Sequence, residues 1–407
     1  MSELTHKFRT YIAIIVSVLT FSSSFILGVD MQSINIHSKT HIRWIPTELS
    51  YPYHSAVASD LIAELKSTKN LSIKYRLTFE NPSISNAYLE HHRLFGRILA
   101  STFKEFNHPF LNKATLQVGY LDRTTAGQGL TLKDFESAGF KFGLEWDKLD
   151  FGLTYIAHGY ALAGDYALFN LDSKNKDWGI QWFAYFNDEN YFSTHASRIS
   201  FYGLYPINSA FRVKYEIGTA TDHSLSDLPV AALISPELQW SNENTEIQTN
   251  AVVRGYSSGF NKGFNQFNFS KKHYFLEEEA FDFDNWRTYL LNTQVSNEKV
   301  TVLGARTKLK QRILTDLWII SDLEFNRQIY PSTTIDTTLY FLGVQYDIEK
   351  DKQVIYLGYQ NKILNSKGVI KRTSPTSYLV RDEYPTNNNP IVSEVDPFLV
   401  IGVRFSY

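Results

Sequence analysis

The chain has 407 residues, no cysteine, a formal net charge of -2 and an aromatic content of 15%. The missing cysteines exclude disulfides and thiolate metal sites, and the near-balanced charge argues against nucleic acid, which needs a basic excess to neutralise its phosphates. With 43% apolar residues the chain is too polar for a bundle of membrane helices and too apolar for disorder, whereas a transmembrane barrel has this balance because half of each strand faces a wet lumen.

At the N-terminus Lys7 and Arg9 precede an apolar run from Tyr11 to Phe21, and Ser22, Ser23 and Ser24 follow. A basic start, an apolar core of about ten residues and small residues behind it form the pattern of a secretory signal peptide. Residues 1–28 are expected to be that peptide, cut after Ser24 or after Gly28, leaving 29–407 as one domain. An uncleaved anchor is the alternative for the same run. No other stretch offers the about 18–20 apolar residues that a spanning helix needs.

The remainder alternates with period two, which marks half-buried strands. Leu71, Ile73, Tyr75 and Leu77 alternate with Ser72, Lys74, Arg76 and Thr78. Phe140, Phe142, Leu144 and Trp146 alternate with Lys141, Gly143 and Glu145, and Phe151, Leu153 and Tyr155 follow the short DKLD at 147–150. The same holds for Phe211 to Ile217 against Arg212, Lys214 and Glu216, and for Ile247, Ala251 and Val253 against Gln248, Asn250 and Arg254. Leu303, Ala305 and Leu309 oppose Arg306, Lys308 and Lys310, and Leu317, Ile319, Leu323 and Phe325 oppose Asp316, Asp322 and Glu324. Full charges at consecutive positions of one face suit a water-filled lumen.

The connections alternate in length. Short ones lie at 67–70, 147–150, 207–209, 242–244 and 351–353, and long ones at 81–94, 159–165, 221–229, 257–286 and 364–397. Short periplasmic turns and long extracellular loops are the pattern of an outer-membrane barrel, and irregular loops over about 15 residues are uncommon inside compact soluble domains. Counting gives 16 to 18 strands, and barrels prefer even numbers.

The chain ends on DPFLVIGVRFSY, with Leu399, Ile401, Val403, Phe405 and Tyr407 on one face. This segment resembles the C-terminal strand of bacterial outer-membrane β-barrels, in which an alternating strand closing on Phe or Tyr is read by the assembly machinery. Phe405 and Tyr407 are the residues that carry the resemblance. Arg123 followed by GQGL at 127–130 is similar to segments of porin-like and exporter barrels, including alginate-export-type proteins. The resemblance implies a barrel and no particular substrate. General porins are often trimers, so a homotrimer stays open.

Glu277, Glu278, Glu279, Asp282 and Asp284 crowd one long loop and form a candidate pore constriction if that loop enters the lumen. They would then face a basic wall of Arg76, Arg212, Lys214, Arg254, Arg306, Lys308 and Lys310, a crossed field of the kind that general porins use to orient polar solutes. The alternative is a solvated extracellular loop. Across the turn at 311–315, Lys310 is expected near Asp316 and Arg306 diagonal to Asp322, with Glu324 as a further acidic partner. That array is either a selectivity wall or a salt-bridge ladder that stiffens the barrel.

Enzymatic arrangements are weak. His158 has no Ser or Asp at a convincing position, and His223, Ser224 and Asp227 are neighbours in one loop, whereas triads assemble from separate elements. No His-Glu-x-x-His run exists, and His91 and His92 offer only a loose metal pair. The sequence thus predicts an all-β, single closed antiparallel transmembrane barrel in a bacterial outer membrane, without enzymatic activity or cofactor. Its expected role is passive passage of small polar solutes. The alternative is a non-conducting barrel that acts as a structural, surface-interaction or adhesion protein through its long loops.

Overall fold

A computed structural model describes residues 31–44, 55–67, 70–82, 93–130, 135–157, 165–186, 194–221, 228–260, 299–331, 333–349, 353–368 and 391–406. Among them are eighteen strands and no helix: β1 (Met31–Trp44), β2 (Ser55–Ser67), β3 (Leu71–Pro82), β4 (Arg93–Glu105), β5 (Leu111–Thr124), β6 (Phe135–Trp146), β7 (Leu149–Ala157), β8 (Asp165–Ser173) and β9 (Gly179–Phe186) form the first half. β10 (Thr194–Pro206), β11 (Phe211–Ala220), β12 (Val230–Ser241), β13 (Thr245–Tyr256), β14 (Val300–Leu314), β15 (Leu317–Ile329), β16 (Thr333–Glu349), β17 (Gln353–Gly368) and β18 (Ile391–Ser406) form the second.

Every strand pairs antiparallel with its sequence neighbours, as β9 does with β10. The sheet closes where β1 meets β18, with Trp44 opposite Leu399 and His37 opposite Ser406. Closure removes the unpaired edges that lipid would not tolerate. The signal-peptide reading lies outside the described residues, as do Tyr407 and the side chain of Phe405.

Alternation sets the two faces. On β15 Ile319, Leu323 and Phe325 are exposed on the outside, whereas Asp322, Glu324, Asn326 and Gln328 are buried inside. The same division runs through β16, where Leu342, Val344 and Tyr346 face out and Gln345 and Asp347 face in. Apolar side chains on the exterior of a closed sheet are the inverse of a soluble core and match a lipid surroundings.

The connections also alternate. Those at 147–148, 207–210, 242–244, 315–316 and 350–352 are short, and those at 83–92, 221–229, 257–299 and 369–390 are long. The strands reach further than the sequence pattern indicates. β17 and β18 take up both ends of the expected 364–397 loop, which shrinks to 369–390. Polar and proline-bearing strand ends such as NSKG and SEVDP lack alternation, yet ladder pairing with a neighbour still extends them.

Candidate lumen plug and wall

The lumen is not uniformly wet. At the long-loop end two apolar clusters lie inside the barrel. Leu121, Ile156, Tyr166, Leu168 and Phe183 form one on β5 and β7–β9, together with Ala126. Ala231, Leu233, Val252, Tyr256, Val300, Val302 and Tyr330 form the other on β12–β15 and just beyond, together with Leu130 and Phe260. Ala126 and Leu130 both belong to the segment that follows β5. Residues 125–130 therefore turn into the lumen and join clusters on two walls.

One acidic side chain meets this segment. Glu216 projects inward from β11 and is 2% exposed. The backbone N–H groups of Gln128 and Leu130 donate to its Oε2 at 2.8 and 3.0 Å. Ser200 Oγ and Gln181 Nε2 donate to Oε1 at 2.7 and 2.9 Å. Backbone N–H groups directed at a carboxylate make short, charge-assisted bonds. The loop path needs its glycines. Gly127 has φ +57, and a Cβ there would sit 2.7 Å from Glu216 Oε1. Gly129 has φ +91, and its N–H closes a turn onto Ala126 O at 2.9 Å. Tyr256 adds an attachment from β13, donating its hydroxyl to Leu130 O at 3.0 Å. Arg254, on the same inward face of β13, is buried beside them, and Arg198 from β10 lies over the Phe260 ring at 5.2 Å.

The charged wall predicted on β14 and β15 is present, but it is packed rather than bathed. Arg306 binds Asp322 through two bonds, Nε to Oδ1 at 2.9 Å and NH2 to Oδ2 at 2.5 Å. Glu324 lies 3.7 Å from Arg306, and Lys308 Nζ lies 4.0 Å from Asp322. All four are buried. The expected diagonal pair Arg306–Asp322 is thus observed, in the form of a structural ladder. The expected neighbour of Lys310 is not. Register places Lys310 opposite Ile320, and its ammonium lies 4.4 Å over the Trp318 ring, which Arg312 covers at 4.6 Å. Asp316 stands exposed in the 315–316 turn and is not a lumen residue. The turn falls later than the sequence suggests, and an irregularity between Arg312 and Leu314 shifts the pairing there.

Elsewhere the basic residues separate into unlike settings. Arg212 and Lys214 share Glu237, each at 2.7 Å, near the short-turn end of β11 and β12. Arg76 stands directly opposite Arg97, which is buried on β4. Glu277, Glu278, Glu279, Asp282 and Asp284 lie outside the described residues. Among the described residues, 125–130 enter the barrel interior, and Phe260 at the start of the 257–299 connection packs in the same cluster as Leu130. The GQGL run was visible in the sequence. Its partner Glu216, 88 positions away from Gln128, had no signal beyond being a lone acid on the polar face of its strand.

No protein-family model and no curated protein matches the sequence. Solved structures do match. OccK3 (OpdO) of Pseudomonas aeruginosa is similar over 92% of this chain and 95% of its own, with a TM-score of 0.51 at 8% identity. Wzi of Escherichia coli, described as an outer-membrane protein involved in group 1 capsule assembly and a carbohydrate-binding β-barrel, is similar over 96% of this chain and 87% of its own, with a TM-score of 0.50 at 11% identity. At such identities the likeness concerns the fold. The chain has the fold of bacterial outer-membrane β-barrels of the porin-like type, and its apolar exterior fits the lipid of that membrane.

Proposed function

We propose that the protein is an outer-membrane channel for small polar solutes, without enzymatic activity, whose long-loop end is narrowed by the 125–130 segment. The observation that carries this reading is the inward polar face of a closed eighteen-stranded barrel. A barrel of that size encloses more than its own side chains fill. Nearer the short turns the inward Lys141 and Arg212 are exposed and Lys214 is half-exposed, so water reaches the lumen there. Planar-bilayer recording of the purified full chain tests it. Discrete open-channel steps support a channel, and a silent membrane containing folded barrel refutes it.

The dry packing around Leu130 and Ala126 favours one other reading, a non-conducting barrel that binds a partner at the cell surface. The description of Wzi as a carbohydrate-binding barrel makes a glycan the first ligand to try. Glycan-array binding without conductance selects that reading. We also propose that the barrel-assembly machinery recognises β18 and that the folded chain forms a homotrimer. Deletion of the last strand and light scattering in detergent test these in turn.

A further inference from the structure

We propose that residues 125–130 form a displaceable plug, latched in the lumen by Glu216, and that release of the latch opens the long-loop end of the barrel. The proposal rests on the channel reading above. The segment occupies a bridging position: Ala126 packs against the β5–β9 wall and Leu130 against the β12–β15 wall. Its N–H groups at Gln128 and Leu130 go to a side chain rather than into a strand ladder. The attachment therefore does not share in the cooperative pairing that closes the barrel. It is local and polar, and it is concentrated on one carboxylate that Gln181 and Ser200 hold in place from the wall.

Such a joint can open while the barrel stays shut. The segment directly follows β5, and β6 begins only at Phe135, so outward rotation of 125–130 breaks no ladder bond. The wall keeps Gln181 and Ser200 as partners for Glu216 after the segment leaves, so the carboxylate is not stranded. The segment's own N–H groups would emerge into water, which satisfies them. The cost of opening is then the loss of the two charge-assisted bonds to Glu216, of the Tyr256 hydroxyl bond to Leu130 O, and of the apolar contacts of Ala126 and Leu130, and Glu216 controls the first part. Gly127 is the position that permits this close approach, because any Cβ would collide with the carboxylate.

The chain has no cysteine of its own, so a single thiol reports on the plug. Leu130→Cys places it at a site 1% exposed. In proteoliposomes the thiol should react slowly with a membrane-impermeant maleimide in the otherwise natural chain. Adding Glu216→Ala should speed labelling about a hundredfold, because each charge-assisted bond lost shifts an equilibrium by about tenfold or more. Glu216→Gln, which keeps the shape, serves as the second variant, and heat-modifiable migration on gels verifies folding of each. The same variants in planar bilayers should show larger or longer openings than the natural chain. Equal labelling rates with and without Glu216 would overturn the latch. Fast labelling in a barrel that never conducts would uphold the latch and overturn the channel reading.

Discussion

Asp322 is the most demanding test of the packed interior. Its side chain is 1% exposed and serves both Arg306, at 6%, and Lys308, also at 6%. Asp322→Ala removes the carboxylate and leaves two buried cations with Glu324, which reaches Arg306 only at 3.7 Å. Breaking a buried pair by deleting one partner costs about 3–5 kcal/mol, because the remaining charge stays buried without compensation. That corresponds to between about two and four powers of ten in the unfolding equilibrium. The double variant Arg306→Met with Asp322→Leu removes the closest pair and should recover part of the loss, since apolar replacement of a buried pair is often neutral while Lys308 and Glu324 each still lose a partner. Urea unfolding in detergent micelles, followed by intrinsic fluorescence, measures both. The external control is Arg327→Ala, whose paired Asp336 lies beside it on the exposed face and whose loss should leave the midpoint unchanged. If Asp322→Ala unfolds with the natural chain, the wall charges face water after all, and the ladder reading fails.

Three further perturbations address other parts of the barrel. Gly127→Ala should strain a residue at φ +57 by about 1–2 kcal/mol and push against Glu216, so labelling at Leu130→Cys should accelerate as it does without the carboxylate. Unchanged labelling would mean that the segment approaches Glu216 less closely than 2.7 Å implies. Trp318→Phe removes the indole N–H that donates to Asp347 Oδ2 at 3.0 Å; leaving that acid to Gln345 should cost about 1–3 kcal/mol in the same unfolding assay, and no loss would refute it. Glu237→Gln frees Arg212 and Lys214 from their shared acceptor. The reversal potential in a salt gradient should then move toward anion preference, because charges lining an aqueous path bias what passes. An unmoved potential would remove both residues from the solute path.

The fold was legible because alternation reports which face a side chain takes. Ile319, Leu323 and Phe325 against Asp322 and Glu324 needed no tertiary information. What period two does not report is whether a polar face meets water. Arg306 and Lys308 read as a wet wall, yet the neighbouring strands place Asn250, Asp322 and Glu324 around them and the row is buried. Register was equally hidden. It depends on where the turn falls, and a shift of a few residues moves Lys310 from Asp316 to Trp318. The latch was hidden for a third reason: Gln128 and Glu216 are 88 positions apart, and only closure of the sheet brings their strands across the lumen from each other.

These three features belong together physically. A closed sheet of eighteen strands cannot collapse onto itself, so its interior must be filled by something other than wall side chains if it is not to be open throughout. At the middle of β14 and β15 the filling is ionic, and an ion pair tolerates burial only when both partners are held in place, as Arg306 and Asp322 are. At the long-loop end the filling is apolar and is supplied in part by a loop, which sets Ala126 against the β5–β9 wall and Leu130 against the β12–β15 wall. Apolar contact alone is non-directional and would let that loop settle in many positions. The carboxylate of Glu216 supplies direction, because two backbone N–H groups fit one oxygen in one orientation. In the proposed channel a solute path would run past the ladder and past the 125–130 segment, so control of passage would sit at the long-loop mouth and with Glu216, which orients that segment.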